Sequence, residues 1–365
     1  MASIANVLSS FTHKLSSRPK SHTSSFRMSY QTTTTTTIPR KSANYGPPTW
    51  DFNFIQSLNT NSYAGERFVT RRDELKEKVQ DLLNSEEIKE AEKIEMIDQL
   101  QKFDCSYHFL DEINAALTDI YTKKSGYNNF KSSEEKDLYS TALEFRVLRQ
   151  NGFDISPEVF EGFMDGKRLD FNPKLGEDTK GLLNLYEASF LSKEDDTILE
   201  VARDFSGKHL KQVIKHDQNL NDPKLLPHVQ RALALPLHWR VPRMEARFYI
   251  DSFDLGKTNS NNSTLLDLAK VDFNIAQAVY LKDLKFVSRW WKDSCITEKM
   301  EFVRDRAVEN FIWALAKHPS QSIQMAEEQW ASSTFFFARL MICMTFMVLQ
   351  KNCNSSPIPL KGGPM

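Results

Sequence analysis

The chain has 365 residues, of which 26% are charged and 40% hydrophobic, and its formal net charge is −1. The length is sufficient for two domains, and the balanced charge excludes the strongly basic surface of a typical nucleic-acid-binding protein. Glycine is scarce, at 12 residues, which favours helices. The cysteines, Cys105, Cys295, Cys343 and Cys353, form no CxxC pair and indicate free thiols in a reducing compartment.

The N-terminal segment differs in composition from the rest. Residues 1–37 are basic and rich in Ser and Thr, and the first acidic residue is Asp51. This composition is typical of a plastid transit peptide, which we predict for residues 1–37, with the chloroplast stroma as the destination. A mitochondrial presequence and a disordered tail are the alternatives.

Helical periodicity dominates from residue 50 to about 320. Apolar residues in Arg71–Leu83 recur at helical spacing, and the spacing in Tyr139–Arg149 is similar. Ile94–Leu100 continues the pattern after a predicted helix start at Asn84 or Ser85. With little strand signal, the expected class is all-α, as two packed helical bundles.

Turn signals punctuate this helical pattern. Asn151-Gly152 predicts a loop, and Asp222-Pro223 and Leu235-Pro236 bracket a predicted change of domain.

Two basic residues, Arg40 and Lys41, precede Trp50 in the stretch RKSANYGPPTW. The stretch resembles the tandem-arginine motif, RRx₈W, of plastid monoterpene synthases in the plant terpene synthase family, with Lys replacing the second Arg. The resemblance implies that these three residues tie the N-terminal segment over an active site. Lys cannot form the bidentate hydrogen bonds of Arg, so the expected product is either acyclic or cyclic. A chance pairing of basic residues with a loop aromatic is the alternative.

Longer blocks resemble the same family: Glu177–Leu191, Leu235–Ile250, Asp272–Gln277 and Arg289–Asp293. The resemblance implies an N-terminal helical, α-barrel-like domain over 38–235. The first part of a C-terminal class I helical bundle, the metal-binding catalytic domain, would follow over 236–319. The charged residues of the second block are interpreted as an inter-helix salt-bridge set: Arg240, Arg243, Glu245 and Arg247.

Arg304-Asp305-Arg306 resembles the family's RDR segment, which implies that Arg304 and Arg306 bind the departing diphosphate. Guanidinium is always charged and matches phosphate oxygens. The alternative is a solvated helix face. Trp313 stands where the family has an aromatic residue lining the cavity, and an indole face can stabilise a carbocation. A core tryptophan is the alternative.

The resemblance also implies Mg²⁺ (or Mn²⁺), held by a DDxxD motif and a later acidic motif, and Mg²⁺ prefers carboxylate oxygens. No DDxxD occurs in this sequence, and no metal ligand is predicted. Residues 320–365 are instead interpreted as an aberrant tail. When the reading frame is shifted, Met341-Ile342 and Met344-Thr345 each encode Asp, and Met347-Val348 encodes Gly. If the codon of Leu340 ends in G, the shifted tail can therefore read DDMYD followed two residues later by Gly, about where the family has its DDxxD.

We therefore hypothesise a frameshift near Ser320, caused by a sequence or gene-model error, a pseudogene or alternative splicing. The resemblance implies a lyase that converts geranyl diphosphate, a prenyl diphosphate, to an acyclic or cyclic monoterpene or its alcohol. The expected enzyme is a monomer that needs neither nucleic acid nor a membrane, while the chain as written is expected to be inactive. The alternatives are a non-catalytic helical protein, decayed or paired with an intact synthase, and a protein anchored in a membrane by Trp330–Leu349.

Overall fold

The computed structural model describes residues 49–59, 63, 65–124, 137–165, 170–194, 196–215, 223–254, 260–295 and 305–317. This part of the chain is almost entirely helical, which confirms the all-α class. The α-helices are α1 (Phe52–Ser57), α2 (Glu66–Asn84), α3 (Glu90–Lys102), α4 (Leu110–Lys124), α5 (Leu138–Gln150), α6 (Thr179–Ser189), α7 (Thr197–Lys215), α8 (Leu226–Ala234), α9 (Pro242–Asp254), α10 (Ser260–Ser294) and α11 (Ala307–Lys317). Two short strands, β1 (Met164–Asp165) and β2 (Asp170–Phe171), pair antiparallel.

Two helices follow the apolar spacing of the sequence. The predicted helix Arg71–Leu83 lies inside α2, where Leu75, Val79 and Leu83 are buried. Tyr139–Arg149 lies inside α5. Both predictions are confirmed, because a helix that buries one face needs apolar residues three or four positions apart.

The predicted start of α3 at Asn84 or Ser85 is wrong. Asn84 is the last residue of α2, and α3 begins at Glu90. The Oγ atom of Ser85 accepts a hydrogen bond from the N–H of Glu87 at 3.2 Å. The side chain therefore closes a short turn between two helices, which is the other common use of a serine at such a position.

The loop predicted at Asn151-Gly152 ends α5. Gly152 has a φ of 89°, the left-handed region that glycine enters without a steric penalty. Its N–H bonds to the carbonyl of Arg149 at 3.1 Å, and the N–H of Phe153 bonds to the carbonyl of Leu148 at 3.1 Å. These two bonds make a Schellman motif, which satisfies the last carbonyls of the helix.

The chain divides into two compact units by its internal contacts. One unit comprises residues 66–274, and the other joins residues 1–65 to residues 275–365. The division falls inside α10, after Asn274. The domain limits predicted from the sequence, including the one at 235/236, stay predictions.

The core of the 66–274 unit contains a row of aromatic rings. Phe145 packs edge-on against Phe160, with ring centroids 5.0 Å apart, and Phe171 stacks on Phe205 at 5.5 Å. Phe160 is fully buried. Truncation of such a ring to Ala costs about 3–5 kcal/mol in other proteins, so this row contributes to the stability of the unit.

The second unit contains α1, the C-terminal part of α10, and α11. Trp291 of α10 is buried against Ala307 of α11. One face of α11 is buried: Ala307, Val308, Phe311, Ile312 and Leu315. Among the described residues no helix is long and apolar enough to cross a membrane. The candidate anchor Trp330–Leu349 lies outside the described residues.

Candidate functional site

Arg306 lies at the start of α11. Its carbonyl oxygen accepts a hydrogen bond from the N–H of Asn310 at 2.9 Å, so the residue occupies the N-cap position. Its guanidinium forms an ion pair with Glu309, and the side chain is 34% exposed. Because guanidinium carries five N–H donors, donors remain for an anion after this pair is made. Arg304, the other predicted diphosphate ligand, lies outside the described residues.

Trp313 lies on the open face of α11. Its side chain is 61% exposed, while Phe311 and Ile312 beside it are buried. It is therefore not a core tryptophan in this structure, and its indole face is accessible. The predicted role of this face in lining a cavity stays a prediction.

Arg306 is the N-cap of α11, and Trp313 lies within the helix seven positions later. A spacing of seven positions is about two helical turns, or roughly 10 Å along the axis. A cationic group at one end and an aromatic face at the other suit a ligand with an anionic head and a hydrocarbon tail. The arrangement is compatible with the predicted roles of both residues.

Trp50 lies just before α1 and is half-buried. Its indole Nε1 is buried and has no hydrogen-bond partner among the residues that the structure describes. An unpaired buried donor is unfavourable, so this N–H is suited to an acceptor from elsewhere. Arg40 and Lys41, the other residues of the motif, lie outside the described residues.

The described residues do not fit a magnesium site. Nowhere in the described ranges are three or more His, Cys, Asp or Glu side chains grouped so that they could hold a metal ion. Asp283 on α10 is a single carboxyl, and burial, opposed by the charge of Lys282, raises its pKa to about 6. One such group does not supply the several oxygen ligands that Mg²⁺ requires.

Most of the charged residues of Leu235–Ile250 form ion pairs between separate segments, which confirms the interpretation from the sequence in part. The guanidinium of Arg240 reaches Glu187 on α6 at 2.9 Å and Glu245 on α9 at 3.2 Å. Arg243 pairs with Asp104 at 2.6 Å. Arg247 instead pairs with Asp251 within its own helix. Glu187 also accepts a hydrogen bond from the N–H of Leu237 at 2.6 Å, so these blocks build scaffold.

Sequence reasoning missed a buried polar cluster around Asp272. The Tyr107 hydroxyl donates to both oxygens of this carboxylate at 2.9 Å, and His108 Nε2 lies 2.9 Å from Oδ1. Burial raises the pKa of Asp272, but the His108 contact and the charge of Arg243 outweigh it and lower the pKa on balance. Asp272 stands in a block that resembles the family, whereas Tyr107 and His108 carry no sequence signal.

Comparison with known proteins identifies the family of this chain. The sequence model described as "Terpene synthase, N-terminal domain" matches residues 49–233. The chain belongs to the plant terpene synthase family. A chloroplastic limonene synthase from Coffea arabica is 46% identical over 280 residues, which are 76% of this chain and 45% of that protein. The chain thus spans about half the length of this synthase relative.

Solved terpene synthases share the fold. A limonene synthase with 2-fluorolinalyl diphosphate has a TM-score of 0.69 and 39% identity, over 79% of this chain and 53% of that one. The isoprene synthase from grey poplar leaves, in complex with three Mg²⁺ ions and dimethylallyl-S-thiolodiphosphate, has a TM-score of 0.62 and 35% identity, over 77% and 51%. Homologous synthases therefore bind prenyl diphosphate analogues, and one of them binds Mg²⁺.

Proposed function

We propose that this chain derives from a plastid monoterpene synthase that acts on geranyl diphosphate. The enzyme would break the bond between the allylic carbon and the diphosphate oxygen, releasing diphosphate and leaving an allylic cation. Loss of a proton or capture of water, with or without cyclisation, would then give a monoterpene or its alcohol. The supporting observation is the 46% identity to a chloroplastic limonene synthase over 280 residues.

The geometry of α11 suits the predicted roles. Arg306 would bind the departing diphosphate and hold it away from the cation, since its guanidinium keeps free donors beside Glu309. Trp313 would offer its exposed indole face to the cation about two turns further along α11. Arg304, Arg40 and Lys41 would complete the diphosphate and lid contacts, and Trp50 would belong to the lid.

The chain as written is proposed to be inactive, because its sequence has no DDxxD motif and the described residues do not fit a metal. We further propose that the frame of residues 320–365 is shifted relative to a full-length synthase. The plastid location is supported by the chloroplastic relative and the acid-free N-terminal segment. A non-catalytic terpene-synthase-like protein is the second candidate, favoured by the missing motif.

The test is to express the 365-residue chain beside a frame-restored version. Each is incubated with geranyl diphosphate and Mg²⁺, and volatile products are identified by gas chromatography. Product from the restored version alone is expected. Product from the 365-residue chain would refute its proposed inactivity, and no product from either version would favour the non-catalytic candidate.

The role of Arg306 is tested in the active version. Arg306→Met should lower kcat/KM by 100-fold or more, because a charged ligand of the leaving group is lost. Arg289→Met, at an exposed arginine on α10, is the matched control and should change it less than threefold. Equal effects of the two substitutions would contradict the role given to Arg306.

A further inference from the structure

Helix α1 is too short to be stable by itself. It has six residues, and isolated helices of this length do not form in water. The side chain of Asp51 caps it by accepting a hydrogen bond from the N–H of Phe54 at 2.9 Å. Ile55 and Leu58 are buried, so the helix depends on contacts with the rest of its unit.

Gln56 makes the polar part of that contact. Its Nε2 donates to the carbonyl oxygen of Lys285 at 3.0 Å and to the Oγ of Ser288 at 2.7 Å. A carbonyl can only accept, so the amide nitrogen must face it, and both of its hydrogens are then used. The Ser288 hydroxyl donates its own hydrogen to the same carbonyl at 3.1 Å. The three groups therefore form a closed network.

A second contact lies further along the same side of α10. The ammonium of Lys292 lies 4.0 Å from the centroid of the Phe52 ring, a cation–π geometry. Lys285, Ser288 and Lys292 are spaced i, i+3, i+7 and so share one helix face. These two contacts, which we call the anchor, join Phe52 and Gln56 of α1 to about two turns of α10.

We infer that Gln56 is a positioning residue that fixes α1, and with it Trp50, on helix α10. Its partners lie 229 and 232 residues away in sequence, so no local interaction can replace them. What the anchor serves rests on the proposed function: a fixed α1 holds Trp50, which that proposal assigns to the lid, at a constant place. The anchor itself is tested without substrate.

The test is hydrogen exchange of the full chain, carried on a cleavable solubility fusion and read by mass spectrometry. Gln56→Met keeps the shape of the side chain and removes both donors. It should accelerate exchange of the amides of residues 55–58 about tenfold, and leave residues 305–317 unchanged. Ser57→Ala, on the exposed side of α1, loses only a local bond to Phe54 and should have no effect.

A comparison of single and double variants of Gln56 and Ser288 distinguishes a specific anchor from general packing. Ser288→Ala should accelerate exchange less than Gln56→Met, and the double variant should add little to Gln56→Met, because the two residues share one network. Lys292→Met should give a twofold to threefold acceleration. Wild-type exchange in Gln56→Met, or equal acceleration throughout α10 and α11, would overturn the inference. The exchange rates of the single and double variants do not depend on whether any version turns over geranyl diphosphate.

Discussion

Arg240→Met should destabilise the 66–274 unit by several kcal/mol. The Arg240 side chain is 6% exposed, and its Nη1 also lies 3.2 Å from the Tyr249 hydroxyl. Met fills much of the same volume but donates no hydrogen bond. The carboxylates of Glu187 and Glu245, whose side chains are each 9% exposed, would then lose their shared cation.

The magnitude follows from what remains around these carboxylates. Removal of one partner of a buried ion pair costs about 3–5 kcal/mol. Arg231 stays 3.2 Å from Glu245, and the N–H of Leu237 stays 2.6 Å from Glu187, which places the loss near the lower value. About 3 kcal/mol is a large part of the roughly 5–15 kcal/mol that stabilises a domain. It corresponds to a drop of roughly 6–12 °C in the midpoint of thermal unfolding for a unit of this size.

The assay is thermal unfolding followed by circular dichroism at 222 nm, with Arg247→Met as the control. Arg247 is half exposed and pairs with Asp251 four residues away, so its loss should cost at most about 1 kcal/mol.

The pH dependence gives a second readout. Burial raises the pKa of Glu187, and the charge of Arg240 opposes that rise. Without Arg240 the pKa rises further, so the folded variant binds a proton more readily than the unfolded chain. The loss of stability caused by Arg240→Met should therefore shrink as the pH falls from 7.5 to 5.5. Equal losses for the two variants, or a deficit that grows on acidification, would refute the reasoning.

Two further changes test single groups. Asp283→Asn should stabilise the protein above about pH 6 by about 3 kcal/mol and have little effect at pH 4. The reason is that burial raises the pKa of Asp283 to about 6 in the folded protein. Its ionisation therefore opposes folding only at a pH above the pKa that this carboxyl has in the unfolded chain. Thermal melts between pH 4 and pH 8 measure this, and a constant difference across that range would rule it out. Asp178→Ala should cost about 1 kcal/mol, since its Oδ1 caps α6 by accepting from the N–H of Gly181 at 2.8 Å. Urea unfolding measures the cost, and Asp178→Asn, which keeps an acceptor, should recover most of it.

The family and the helical class could be predicted from the sequence because their signals are local or contiguous. The apolar spacing of Arg71–Leu83 specifies a buried helix face, and Asn151-Gly152 specifies a left-handed end to α5. The wrong prediction of a helix start at Ser85 also came from a local sequence signal. A serine accepts hydrogen bonds in turns as readily as at helix starts, and only the path of the chain decides between them.

The site residues stay predictions, and they come from motifs rather than from geometry. Arg306 and Trp313 are candidates by resemblance, and the structure shows that Arg306 caps α11 while Trp313 lies within it. That Trp313 is 61% exposed could not be read from the sequence, since burial depends on what packs against α11.

Pairings between distant residues were decided by the tertiary structure alone. The sequence suggested that Arg240 takes part in an ion pair, but its partner Glu187 lies 53 residues earlier. Gln56 gave no signal, and its partners lie 229 and 232 residues later. Helical spacing records which face of a segment is apolar, whereas a side-chain hydrogen bond depends on the position of another segment to within a few tenths of an ångström. The sequence by itself therefore determined the helices and the family, and the packing of those helices decided which polar groups meet.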